Sequence, residues 1–146
     1  VAVKAGAPKP DIGSADSFKR AMLNAKSIAY SRSGFSGVYT AKVMERLGIA
    51  DAVKSKVKLV EGVPVAKVVA DGDAEIGLQQ INVILPVVGA DYVGPLPPEL
   101  QDFVPFAHGL LVIAKEPEVA TAFMQFAAAP ENAELIRKSG MEPLGR

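Results

Sequence analysis

Short apolar runs alternate with amphipathic stretches along this chain, and the alternation predicts strands and helices in turn. Val1 to Lys4 is an apolar run closed by the Gly6/Pro8/Pro10 cluster, and it predicts a strand. Asp11 to Ser17 offers several helix caps, after which Phe18, Ala21, Met22 and Ala25 fall at helical spacing. Ser27 to Tyr30 predicts a second strand. A loop of hydroxyls and glycines leads from it into a helix over 36–47, on which Tyr39, Val43 and Leu47 stand one above another and Gly48 is the stop. Ile49 to Val53 predicts a helical turn, and Val57 to Val60 a strand. Gly62-Val63-Pro64 starts a short helix carrying Val65, Val68 and Val69, and Glu75 to Gln79 predicts the next strand. Ile81 to Val88 is apolar and fits strand or helix, while Asp91 to Val93 predicts a strand ahead of the proline-rich corner Gly94 to Pro98.

From Phe103 the pattern changes. Phe103 to Phe106 and Leu110 to Ala114 predict an extended apolar pair around His108-Gly109. Helices are predicted from near Pro117 and near Pro130, where a proline at the first position loses no hydrogen bond, and Gly140 closes the second. Strands alternating with helices predict an α/β fold, a mostly parallel sheet with helices on both faces, followed by a helical C-terminal part.

Composition narrows the classes of function. At 146 residues the chain has the size of one domain, and 49% apolar residues give it material for a core. Lys and Arg total 16 and Asp and Glu total 16, so nothing in the charge suggests a nucleic-acid groove or an anionic membrane patch. The absence of cysteine excludes a disulfide framework, thiolate zinc sites and cysteine nucleophiles, and fits cytoplasm or periplasm equally. The chain opens on a strand-like segment without an initiator methionine, which leads us to expect further sequence upstream, a targeting segment included.

The stretch Ser27 to Tyr39 carries the clearest chemistry. A strand, a Ser/Gly loop and a helix start form an arrangement suited to an anion, because a helix N-terminus has unpaired N–H groups and the positive end of the dipole. Ser31, Ser33 and Ser36 add hydroxyls, Arg32 adds charge, and Gly34 and Gly37 let the backbone come close. The competing reading is a loop rich in Ser and Gly only because the helix needs a cap. Gln79 and Gln80 stand at the expected carboxyl end of a strand, where ligands bind in open α/β sheets; alternatively one faces solvent and the other caps the segment from Ile81. Catalytic patterns fail: Gly34-Phe35-Ser36-Gly37-Val38 has valine where a nucleophile elbow needs its last glycine, and no phosphate-loop lysine or dinucleotide-binding glycine pattern follows a strand. With a single histidine, His108, zinc sites and catalytic triads lack material, and a hydrogen-bonded structural role is expected for it.

Several segments together resemble the periplasmic molybdate-binding protein family of ABC importers. They are Val3-Lys4-Ala5-Gly6-Ala7-Pro8-Lys9-Pro10-Asp11-Ile12, Lys26 to Ser31, Gly34-Phe35-Ser36-Gly37-Val38-Tyr39, Glu45 to Ile49, Gly72 to Gly77, Leu96 to Gln101 and Ala128 to Pro143. The resemblance implies a type II periplasmic binding protein fold: α/β, a three-layer sandwich around a mostly parallel sheet, two lobes joined by crossing strands. Residues 6–102 would be the second lobe, 1–5 and 103–106 the hinge crossings, and 107–146 the C-terminal remainder of the first lobe, whose N-terminal half is missing here. Ligand contacts would come from Ser31 and the loop Ser33, Gly34, Phe35, Ser36 and Gly37, from Gln79 and Gln80, and from Phe106, which falls near a position where molybdate binders have a tyrosine. The implied function is that of a substrate-binding component holding a small oxyanion (molybdate-like) or polar solute between lobes and delivering it to the permease, in the periplasm. No chemistry, cofactor, metal or nucleic-acid partner is implied, and a homodimer formed by segment exchange is one consequence of the missing half lobe. The rival reading is the effector-binding sensor domain of a transcriptional regulator, which shares the two-lobe architecture; an enzyme ranks third.

Overall fold

Five short strands build one sheet in the computed structural model, which describes residues 1–143; residues 144–146, the end of the expected C-terminal segment, lie outside the described residues. The strands are β1 Ala2–Lys4, β2 Ile28–Ser31, β3 Val57–Val60, β4 Ile76–Leu78 and β5 Ala90–Tyr92, in the spatial order β3-β2-β4-β1-β5. β2 pairs in parallel with both β3 and β4, whereas β1 is antiparallel to β4 and to β5. Four strands therefore share one direction and β1 opposes them. The α/β architecture expected from the alternating pattern is the observed one, but the sheet is mixed: two of its four pairings are parallel, and the two antiparallel ones both involve β1.

Helices cover both faces. On the first lie α1 Ala15–Asn24, α2 Gly34–Arg46 and α3 Ala50–Val53, whose Phe18, Met22, Val43, Met44 and Val53 pack with Val3, Ile28, Ile76 and Leu78 of the strands. On the second lie α4 Val65–Ala70 and α5 Ile81–Ile84, where Val65 and Val69 pack with Ala29 and Val60, and Ala66 and Ile84 with Ala2. Strand residues alternate between these layers, as the two-residue period requires. Gly77 faces α4 so closely that an added Cβ would stand 2.7 Å from Val69 Cγ2 and 3.0 Å from Val65 Cγ1.

Local chemistry explains most of the boundaries. Ser14 caps α1 reciprocally: its hydroxyl accepts from Ser17 N at 3.1 Å, and Ser17 Oγ accepts from Ser14 N at 3.0 Å. α2 starts at Gly34, two residues earlier than the spacing of apolar residues predicts, because Gly34 at φ 81 turns the chain into the helix. The ambiguous Ile81–Val88 run becomes one helical turn, stopped by Pro86.

The chain divides into two compact units, Val1–Asp102 and a second that begins at Phe103. That unit holds α6 Pro117–Ala127, a 3₁₀ turn at Pro130–Asn132 and α7 Ala133–Lys138, with both prolines at the starts predicted for them. The extended pair expected over 103–106 and 110–114 pairs with no strand, and Phe103, Phe106 and Leu110 to Ile113 are exposed. No residue of α6 is buried, and Val119, Phe123 and Phe126 are exposed along it.

Candidate functional site

The parallel strands bring their carboxyl ends to one edge of the sheet. Ser31 at the end of β2 is in register with Val60 at the end of β3, and Tyr30 with Leu78 at the end of β4. From neighbouring ends the chain leaves to opposite faces: β2 runs into α2 on the first, β4 into α5 on the second. This is a switch point, where an open α/β sheet leaves a crevice between diverging connections.

The α2 side of that crevice is a helix start without a side-chain cap. Ser33 occupies the N-cap with extended backbone, but its hydroxyl makes no capping bond, and the first turn holds no acidic residue. Backbone N–H groups of that turn keep their hydrogen-bonding capacity beside the positive end of a 13-residue helix. Gly37 sets how near the helix comes to β2: a Cβ there would lie 2.8 Å from the carbonyl carbon of Ser31 and 3.3 Å from its Cβ. The carbonyl of Ser36 accepts from Thr40 Oγ1 at 2.7 Å. Phe35 stacks on Tyr39 with ring centroids 5.8 Å apart, and Tyr39 donates its hydroxyl to the carbonyl of Leu100 at 2.9 Å. Arg32 is an exposed ion-pair partner of Glu61 at 3.4 Å, so its charge is shared with a carboxylate.

Ser31 and Gln79 each stand one residue beyond the Tyr30–Leu78 pair, at the neighbouring ends of β2 and β4. Gln79 Oε1 accepts from Val65 N, the first residue of α4, at 2.8 Å. Gln80 is the N-cap of α5 through its backbone: its carbonyl accepts from Val83 N at 3.1 Å and Ile84 N at 3.2 Å. Eight of the nine expected contact residues, Ser31, Ser33 to Gly37, Gln79 and Gln80, thus share one sheet edge. The ninth, Phe106, belongs to the second unit, as does His108, which is exposed and makes no hydrogen bond among the described residues. The sequence alone does not show the Val65 N–H as the partner of Gln79; the available signal is Pro64, the N-cap of α4, which has no side-chain acceptor to offer that helix end.

Two other concavities lie away from this edge. One of about 390 Å³ is lined by Tyr30, Met44, Lys54, Val57 and Leu59 on the first face, and burial there pushes the Tyr30 phenol up. The other, about 430 Å³, lies among Val3, Pro8, Arg20, Asn24 and Glu75. Among the described residues no group of three His, Asp or Glu side chains converges, and no helix is long and apolar enough to cross a membrane.

One sheet with helices on both faces and a switch point at its carboxyl edge is the architecture of many α/β ligand-binding lobes, those of solute-binding proteins among them. The chain belongs to the bacterial extracellular solute-binding protein family, whose model matches residues 1–142. It is 36% identical over 145 residues to an aconitate isomerase from a Pseudomonas species, covering 99% of this chain and 55% of that protein. The fold is similar to that of a structure from Clostridium difficile described as the substrate binding domain of a molybdenum ABC transporter, with a TM-score of 0.74 and 16% identity, covering 99% of this chain and 62% of the other. The chain thus spans little more than half the length of the curated relative it matches.

Proposed function

We propose that this chain is part of the substrate-binding component of an ABC importer, with a small anion held at the carboxyl edge of its sheet by neutral donors. The reading rests on one observation above all: the uncapped first turn of α2 opens on the switch point beside Ser31 and Gln79. A molybdate-like oxyanion and a small carboxylate both offer several acceptor oxygens, and backbone N–H, hydroxyl and amide groups can serve either. The partner is then the importer's permease and the compartment the periplasm, in keeping with the extracellular solute-binding family. Calorimetric titration of the full-length protein with molybdate, tungstate, sulfate and trans-aconitate tests this; heat with at least one anion is expected, and none with any of them would overturn it.

A second reading is favoured by the 36% identity to an aconitate isomerase: the same edge would hold an organic tricarboxylate and the protein would convert it. Incubation with cis- and trans-aconitate, followed by proton NMR, separates the two. Interconversion supports the enzyme, and binding without conversion supports the transport component.

A further inference from the structure

We propose that Gln79 is a specificity-determining residue of the anion site, its carboxamide locked so that only the nitrogen faces a ligand. The inference rests on the anion reading above and adds to it which atom of Gln79 acts. The two ends of a carboxamide differ in chemistry, and their assignment follows from the partner. A backbone N–H can only donate, so the bond of 2.8 Å from Val65 N requires Gln79 Oε1 on the α4 side. Flipping the amide would set two N–H groups against each other and leave the first turn of α4 short of an acceptor. Neither Gln79 Nε2 nor Ser31 Oγ makes a hydrogen bond among the described residues, and both side chains remain partly exposed.

The neighbouring ends of β2 and β4 therefore carry a hydroxyl and a fixed amide donor, and the first turn of α2 opens at the same edge. A fixed donor rewards an acceptor oxygen and leaves a ligand N–H or O–H facing another hydrogen. Gln79 thereby biases the site toward fully deprotonated anions.

Two variants of the full-length protein test this, with molybdate and trans-aconitate as probes. Gln79→Glu keeps an acceptor for Val65 N but removes the donor and adds like charge. We expect an unchanged or raised thermal midpoint and a loss in anion affinity of about 10- to 100-fold. Gln79→Met is neutral and lacks both functions, so it should lower the midpoint and still weaken binding roughly 10-fold. That separates a lost donor from charge repulsion. Parental affinity in either variant overturns the assignment of Gln79 and leaves the anion site standing. A lowered midpoint in Gln79→Glu overturns the placement of the amide oxygen on Val65. If the parent binds neither probe, the anion reading itself falls, and this inference with it.

Discussion

Replacing Gly37 by alanine puts the α2–β2 contact to the test. The new Cβ would stand 2.8 Å from the Ser31 carbonyl carbon, where ordinary contact begins at 3.4 Å, so the helix start must back away by about 0.6 Å and by more at the carbonyl oxygen. The obstacle is backbone at the end of a strand, which cannot swing aside as a long side chain can. Overpacking of this kind costs about 1–3 kcal/mol. Because the carbonyl oxygen of Ser31 is closer still, the cost falls in the upper part of that range, about 2–3 kcal/mol; alanine returns up to about 1 kcal/mol as the better helix former, which leaves a net loss of roughly 1–2 kcal/mol. For a unit of about 100 residues each kcal/mol lowers the midpoint by roughly 4–8 °C. The assay is thermal unfolding followed by circular dichroism, with Gly13→Ala as control, since a Cβ there meets only Asp11 Oδ1 at 3.5 Å. Anion affinity should fall with stability, because the first turn moves off Ser31. A Gly37→Ala protein as stable as the parent would refute the close approach of α2 to β2.

Further outcomes follow from the caps and the tyrosines. Ser14→Ala removes the hydroxyl that accepts from Ser17 N, leaving the Ser14 N–H bond to Ser17 Oγ in place, and should cost about 1 kcal/mol, whereas Ser33→Ala, with no cap bond to lose, should cost under about 0.5 kcal/mol; equal losses in chemical unfolding would contradict the different roles given to the two serines. Burial pushes the phenols of Tyr30 and Tyr92 above their ordinary value of 10.0. The folded state then holds those protons more tightly than the unfolded state. That contribution is fully present below pH 10.0 and is lost as pH rises through the raised folded values. Tyrosinate absorbance should show two late-titrating rings, and ordinary titration of both would mean that neither is buried as described.

Much of this architecture was legible because the signals are local. Ser14 to Ser17 spells a cap, Gly48 a stop, Pro117 and Pro130 helix starts, and the spacing of Phe18 and Met22 one buried face. What was not legible depends on contacts distant in sequence. Nothing in Val1 to Lys4 states that β1 will insert between β4 and β5 against the direction of the others. The Ile81–Val88 run is apolar at every period, and only Pro86 and the packing of Ile84 onto Ala2 and Ala66 decide it. Phe103 to Phe106 and Leu110 to Ala114 have strand composition without a strand to pair with. At the edge itself, the Ser/Gly loop was visible as a motif, and the Gln pair as two amides after a strand. That Gln79 turns its oxygen toward a helix starting 14 residues earlier follows only from the fold.

The most direct test of the central claim is an anion titration of the isotope-labelled full-length protein, followed through backbone amide resonances. The account predicts that the largest shifts fall on residues 33–37 and on Gln79 and Gln80. Shifts centred instead on the groove around Tyr30, Met44 and Lys54, or no shifts with any anion, would contradict it.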